Sequence, residues 1–216
     1  MREAWSDKIF TTWTFGSGKI HSGDLVCIQI EVMKNKLRKS YLSALMKLKK
    51  NFILDSGSLI QNTLMKEISS LNLKNVLIYS PYKFEISLDI VLKELKKKSI
   101  GLYLPKIFPN KRMAFNDFNE THDLLPNKYG ILESDSDNYL HIDQFDLLII
   151  PFLSVDKDGF RLGYGGGYFD RALEKILKKP AIIGIGYEYQ IHTESFSEPH
   201  DIKYDCVITE ERIHRF

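Results

Sequence analysis

Phe145-Asp146-Leu147-Leu148-Ile149-Ile150-Pro151 sets the fold class of this chain. Leu147 to Ile150 leave no polar face, so a strand made of them must be covered on both sides, as central strands of largely parallel sheets are. Residues 75–80, 99–104, 181–187 and 204–209 are strand-like runs rich in Val, Ile, Leu and Tyr that end at turn residues. Helical periodicity marks 56–70, 87–98 and 168–178. This alternation predicts an α/β fold, a single three-layer domain with a largely parallel central sheet flanked by helices. Ligands in such sheets bind beyond the carboxyl ends of the strands. A site is therefore expected in the segment after Pro151.

That segment holds Arg161-Leu162-Gly163-Tyr164-Gly165-Gly166-Gly167-Tyr168-Phe169-Asp170-Arg171, with four glycines, two arginines, one acid and three aromatics. Glycines admit positive φ and close backbone approach, so successive N–H groups can wrap an anion. The helix predicted from Tyr168 would aim the free N–H groups of its first turn at the same anion. Arginines hold phosphate oxygens and a carboxylate holds a divalent cation. A solvated glycine-rich loop is the plainer alternative, but such a loop has no use for Tyr168 and Phe169. Two familiar nucleotide motifs fit poorly. Gly167 is followed by Tyr168 and Phe169 rather than by Lys and Ser or Thr, which rules out a Walker A loop. Gly163 comes twelve residues after the strand ends at Pro151, which weakens a dinucleotide fingerprint even though Glu188 lies near the position of a ribose-binding acid.

The chain of 216 residues, with 44% hydrophobic and 27% charged residues, has an ordinary globular composition. A net charge of +2 gives no argument for a nucleic-acid partner. Lys47, Lys49 and Lys50, and Lys96 to Lys98, sit at the ends of helix-like segments and suit the helix dipole. Cys27 and Cys206 lack partners at metal-ligand spacing, so a zinc site or disulfide framework is not expected and a reducing cytoplasm fits. No apolar run is long enough to span a bilayer, and the start lacks the apolar core of a signal peptide. The composition breaks near Met33, where an amphipathic helix opens with Leu37, Tyr41, Ala44, Leu45 and Leu48 on one face. Residues 1–32 are read as an N-terminal extension and 33–216 as the folded domain. Lys34 and Arg38, one turn apart, project from one side of that helix.

Residues 145–171 resemble the signature block of the 5-formyltetrahydrofolate cyclo-ligase family, also called methenyltetrahydrofolate synthetases. The resemblance runs from about residue 33 to about 210, through Lys34 to Arg38, Glu85, Leu104-Pro105-Lys106, Glu198-Pro199-His200-Asp201 and Tyr204 to Glu210. It implies an ATP-dependent ring closure of 5-formyltetrahydrofolate to 5,10-methenyltetrahydrofolate. In the family's mechanism the formyl oxygen attacks the γ-phosphate of ATP, nitrogen 10 then adds to the formyl carbon, and phosphate leaves. Such chemistry asks for positioning and charge neutralisation rather than a protein nucleophile.

By position, the resemblance implies that Lys34, Asn35, Lys36, Leu37 and Arg38, with Arg161, Leu162, Gly163, Tyr164, Gly165, Gly166, Gly167, Tyr168 and Phe169, bind ATP. Arg161 and Tyr168 stand as the catalytic pair, and Ser80, Glu85, Tyr164 and Tyr168 as folate contacts. Asp170 and Asp201 stand as ligands for Mg2+, a hard cation that needs only one or two carboxylates beside phosphate and water. The implied protein is a cytoplasmic monomer with a small-molecule substrate and neither a membrane nor a nucleic-acid partner. Arg161→Ala and Asp170→Ala are each expected to lower turnover with the fold intact. Phe152 stands where the family usually has glycine and is expected to crowd the pocket. Lys106 stands where the family often has Arg, and Ser134 stands where proline is usual after Glu133. Gln190 fits a family position without an evident role. The rival reading is a nucleotide-binding or RNA-associated module without folate turnover, supported by the lysine clusters and the many tyrosines.

Overall fold

The computed structural model describes residues 13–15, 18–20, 22–119, 122–174, 176–198 and 200–216. Part of the extension assigned to residues 1–32 lies outside the described residues. The sheet strands are β1 (Asn75–Leu77), β2 (Gly101–Ile107), β3 (Met113–Asp117), β4 (Tyr139–Leu140), β5 (Leu147–Ile150), β6 (Ala181–Ile185), β7 (Cys206–Ile208) and β8 (Ile213–Arg215). They line up as β8-β7-β6-β5-β1-β2-β3-β4. The inner run from β7 to β2 is parallel, and β8, β3 and β4 add antiparallel edges.

The apolar strand lands where its composition requires. Every residue of β5 is buried, between β6 and β1. Leu147 and Ile149 join Val76, Ile183 and Cys206 in one core, and Leu148 and Ile150 join Leu77, Ile182 and Val207 in the other. The two faces are the alternate sides of one pleat. The first core is closed by Leu45 of α1 (Ser22–Leu45), Ile60 and Leu64 of α2 (Lys50–Glu67), and Val91 and Leu95 of α3 (Asp89–Lys97). The second is closed by Phe169, Ala172 and Leu173 of α4 (Tyr168–Leu173), with Phe152, Val155 and Ile202 from the loops. This is the three-layer α/β arrangement.

Two helices differ from their predicted extents. The helix expected over 168–178 ends at Leu173, and the Asp143 carboxylate takes up the N–H groups of Leu177 and Lys178. An acceptor distant in sequence thus overrides local periodicity. The helix expected to open at Met33 begins at Ser22. Val26, Ile28, Ile30 and Val32 alternate along that stretch, and a period of two conceals a helix from a search for 3.6.

Chain order reverses between β1 and β5. From β1 the chain passes to β2 on one side, then returns to β5, β6 and β7 on the other. The crevice beyond the carboxyl ends of β1 and β5 is therefore the switch point at which open α/β sheets bind ligands.

Candidate functional site

A cleft of about 800 Å³ opens at that switch point, walled by the segments after β1 and β5, by α1, and by the chain around Asp201. After β5 the chain makes a small hairpin, Ser154–Val155 against Arg161–Leu162. Buried Asp156 shapes its turn by accepting the N–H groups of Asp158, Phe160 and Phe196 at 2.9–3.1 Å. This hairpin fills the interval that separates Pro151 from the glycines, and it delivers them back to the strand ends.

Arg161 anchors the loop. It is 7% exposed, its Nε donates to the Pro151 carbonyl at 2.8 Å, and its guanidinium lies 5.3 Å over the Phe169 ring and 3.9 Å from the Asp170 carboxylate. A Cβ at Gly163 would come within 2.4 Å of that guanidinium, so a side chain there would displace it. Gly165 (φ 92°) and Gly167 (φ 61°) take left-handed backbone that side chains disfavour. Arg38 Nε holds the Gly163 carbonyl at 3.1 Å, and Arg171 holds that of Gly166. With those carbonyls engaged, Gly163 and Gly165 to Gly167 still line the cleft.

Of the α1 residues assigned to nucleotide binding, Lys34 and Arg38 line the cleft, while Asn35, Lys36 and Leu37 do not. Residues between two members of one helical stripe point elsewhere. Asn35 instead accepts from Arg38 at 2.8 Å and so helps to position it. Lys34 is 2% exposed, and its Nζ reaches Glu198 at 2.8 Å and Asp201 at 2.6 Å. Burial acts to lower its pKa, but the bonds to Asp201 and Glu198 outweigh this and raise it. Donor atoms of Glu198, His200 and Asp201 lie within 4.8 Å of one another. Asp170 is not a member of that group and faces Arg161. The sequence reading singled out Asp201 from this tetrapeptide and passed over Glu198 and His200, because the Lys34 pairing that groups them is long-range.

At the other end, Glu85 accepts the Tyr82 N–H at 2.8 Å, and Tyr164 lines the cleft beside it. Burial pushes its pKa up to about 7, although Tyr82, Tyr164 and Arg161 each favour the ionised form. Burial also raises the Tyr164 hydroxyl, with the Glu85 charge adding to it. The rings of Tyr164 and Tyr82 meet edge to face with centroids 6.0 Å apart. Ser80 lines the same wall. A carboxyl raised above its ordinary 4.5 binds its proton more tightly in the folded protein. Its contribution to stability is full below the unfolded value and is lost as pH rises through about 7. Wild-type melting temperature should therefore fall between about pH 5 and pH 7 more steeply than that of Glu85→Gln. Parallel profiles would remove Glu85 as the titrating group.

The departures from the family pattern resolve by direction. Phe152 does not crowd the cleft. It is buried against Tyr204, with ring centroids 5.7 Å apart, in space left by Gly184 and Gly186, where a Cβ would meet it at 2.9 and 2.5 Å. Lys106 alternates with the cleft-lining Pro105 and Ile107, and its Nζ lies 5.8 Å from the Tyr139 ring centroid. Ser134 is buried and donates to the Asp117 carbonyl. Gln190 acquires a structural role. Its Nε2 donates to the carbonyls of Phe152 and Leu153 and its Oε1 accepts the Tyr187 N–H, which ties the exit of β5 to that of β6. A further wall was not anticipated. The hairpin of Leu124–Pro126 and Leu132–Ser134 brings Asn127, Tyr129, Ile131 and Glu133 to the cleft, with Tyr129 edge-on to Tyr168 at 6.4 Å.

Fold and site together define an α/β protein that gathers a glycine loop, a lysine with two acids and a buried carboxyl at its switch point. The sequence profile of the 5-formyltetrahydrofolate cyclo-ligase family matches residues 30–210, and the chain belongs to that family. It is 30% identical over 183 residues to the 5-formyltetrahydrofolate cyclo-ligase of Mycoplasma pneumoniae, an alignment covering 82% of this chain and 99% of that one. To the Mycoplasma genitalium cyclo-ligase it is 32% identical over 181 residues, covering 82% and 98%. The solved 5,10-methenyltetrahydrofolate synthetase of M. pneumoniae superposes with a TM-score of 0.69 at 27% identity, over 82% of this chain and 98% of that one. That of Aquifex aeolicus gives 0.70 at 26%, over 85% and 92%. This membership supports the ligase reading over the nucleotide- or RNA-binding one. Among the described residues no helix is long and apolar enough to cross a membrane.

Proposed function

We propose that this cleft closes the ring of 5-formyltetrahydrofolate to give 5,10-methenyltetrahydrofolate, with ATP converted to ADP and phosphate. Tyr164 carries the reading: its backbone lies in the glycine loop, and it lines the cleft with Glu85, whose charge acts on its hydroxyl. One residue thus spans the phosphate-binding and the acid-lined ends of the site, and a phosphoryl group held by the loop is brought against a substrate held by Glu85. The formyl oxygen takes the γ-phosphoryl group, nitrogen 10 adds to the formyl carbon, and phosphate departs with that oxygen. The protein's work is orientation and neutralisation of charge. Loop N–H groups with Arg38 and Lys34 hold phosphate oxygens, Tyr168 faces the transferred group, and Ser80, Glu85 and Tyr164 hold the folate. Arg161 acts by positioning, since its guanidinium is committed to Pro151 and Phe169.

Grouped carboxylate oxygens suit magnesium, a hard cation. Asp201 and Glu198 would hold it, with Asp170 at the exit of the loop, and when bound it supplies charge neutralisation at phosphate oxygens. Residues 33–216 form the catalytic body in this reading, acting as a cytoplasmic monomer. Enzyme begun at Met33 should keep its fold and turnover, because Glu31, which pairs with Arg38 at 2.9 Å, is exposed. The deciding assay follows methenyltetrahydrofolate absorbance with 5-formyltetrahydrofolate, ATP and Mg2+. Sustained product formation is expected. Folded protein that binds ATP or retains RNA yet forms no product would favour the rival module.

A further inference from the structure

Four side chains of α1 form one stripe. Lys34, Arg38, Tyr41 and Leu45 follow one another at spacings of four, three and four, which keeps them within about 60° of arc on a helix of 3.6 residues per turn. Leu45 is buried in the first core, while Lys34 reaches Asp201 and Arg38 reaches the Gly163 carbonyl. Tyr41 makes the remaining contact. Its hydroxyl shares a 3.0 Å hydrogen bond with His192 Nδ1, and the two rings meet edge to face at 84° with centroids 6.2 Å apart. Both residues stand outside the lining of the cleft.

His192 is fastened to the hairpin that delivers the glycine loop. Its N–H donates to the Val155 carbonyl at 2.7 Å, and Ile191 pairs with Val155 in a parallel bridge. On either side, the Ser154 hydroxyl donates to the Gln190 carbonyl at 2.7 Å and the Phe196 N–H donates to the Asp156 carboxylate at 3.1 Å. Phe196 is buried, and its ring backs that of His192 at 5.7 Å. The other strand of the hairpin, Arg161–Leu162, runs straight into Gly163. Tyr41 thus grips the base of the loop rather than the loop itself.

The neighbouring ties of α1 cannot set this spacing. Lys34 and Arg38 are the groups read as holding phosphate, and their partners Glu198, Asp201 and Gly163 line the same cleft. A ligand that enters changes what they hold. The Tyr41–His192 contact uses no group of the site and is indifferent to what the cleft contains.

We propose that Tyr41 and His192 are a positioning pair that braces α1 against the hairpin, sets the distance at which Lys34 and Arg38 face the glycine loop, and thereby sets the grip on the triphosphate. The inference rests on the phosphate reading of that end of the cleft.

Calorimetric Kd for ATP with Mg2+, and steady-state constants for both substrates, are compared for wild type, Tyr41→Phe, His192→Leu and their double variant, with Arg38→Ala as a reference. Tyr41→Phe removes one oxygen from a half-buried ring and keeps the packing. Each single variant should raise Kd and KM for ATP about fivefold, the scale of one hydrogen bond, while kcat and the KM for folate stay within about twofold. The double variant should bind ATP no more weakly than either single one, as two partners of one contact do. ATP constants unchanged in the single variants, or losses that add in the double variant, overturn the pair. So does a folate KM raised as much as that for ATP, or a melting temperature lowered by more than about 5 °C in Tyr41→Phe, which would assign the contact to general stability. If Arg38→Ala weakens ATP binding and Tyr41→Phe does not, the pair alone is overturned. If Arg38→Ala leaves ATP binding unchanged, the phosphate reading falls, and the pair with it.

Discussion

Arg161→Ala should unfold at distinctly lower temperature than wild type and lose on the order of 100-fold in kcat/KM. The sequence alone suggested a phosphate-binding arginine whose removal would spare the fold. Its placement implies otherwise. The side chain is 7% exposed, supports the Pro151 carbonyl at the end of β5, stacks on Phe169 of the second core, and occupies the space that Gly163 leaves open. Truncation leaves the Pro151 carbonyl with only the 3.4 Å bond from the Tyr204 hydroxyl, leaves Asp170 without its counter-charge and opens a void, together costing about 3 kcal/mol. The loop then loses the group that sets its height over the cleft, and a displacement of about 1 Å is enough for the activity loss. Arg161→Lys should recover part of the stability and little of the activity, because an ammonium cannot both reach Pro151 and stack as a planar guanidinium does. Thermal unfolding and steady-state kinetics on the two variants decide the matter. An alanine variant as stable as wild type would return Arg161 to a ligand-only role.

What could be read from the sequence was whatever is written locally. The all-apolar Leu147–Ile150 demanded a central strand, because composition alone carries that demand, and four glycines among arginines marked the loop that lines the cleft. The start of α1 at Ser22 was hidden by the alternation of Val26, Ile28, Ile30 and Val32. The direction of Phe152 depends on Gly184 and Gly186 across the sheet, and no pattern around Phe152 reports on them. Lys34 and Asp201 were each recognised, yet their mutual contact spans 167 positions and appears only once α1 is laid against the chain beyond β6.

Lys34→Met carries the second large effect, and it separates the lysine's two duties. In the wild-type protein the ammonium is held above its ordinary 10.5. Its contribution to stability is therefore present throughout the neutral range and is lost only at strongly alkaline pH. Without it, Glu198 and Asp201, at 16% and 10% side-chain exposure, face each other with no counter-charge. The expected loss is on the order of 3 kcal/mol, which for a chain of this size lowers the melting temperature by about 5–10 °C. A divalent cation offers those carboxylates the charge that the lysine supplied. Mg2+ or Mn2+ at millimolar concentration should then raise the melting temperature of the variant more than that of wild type. Turnover should stay depressed by about 100-fold even in saturating metal if Lys34 also holds phosphate as proposed, since metal does not replace that contact. A variant whose melting temperature matches wild type and ignores metal would show that Lys34 is not the counter-charge of these acids. Restoration of turnover by metal would show that the lysine does no more than hold them.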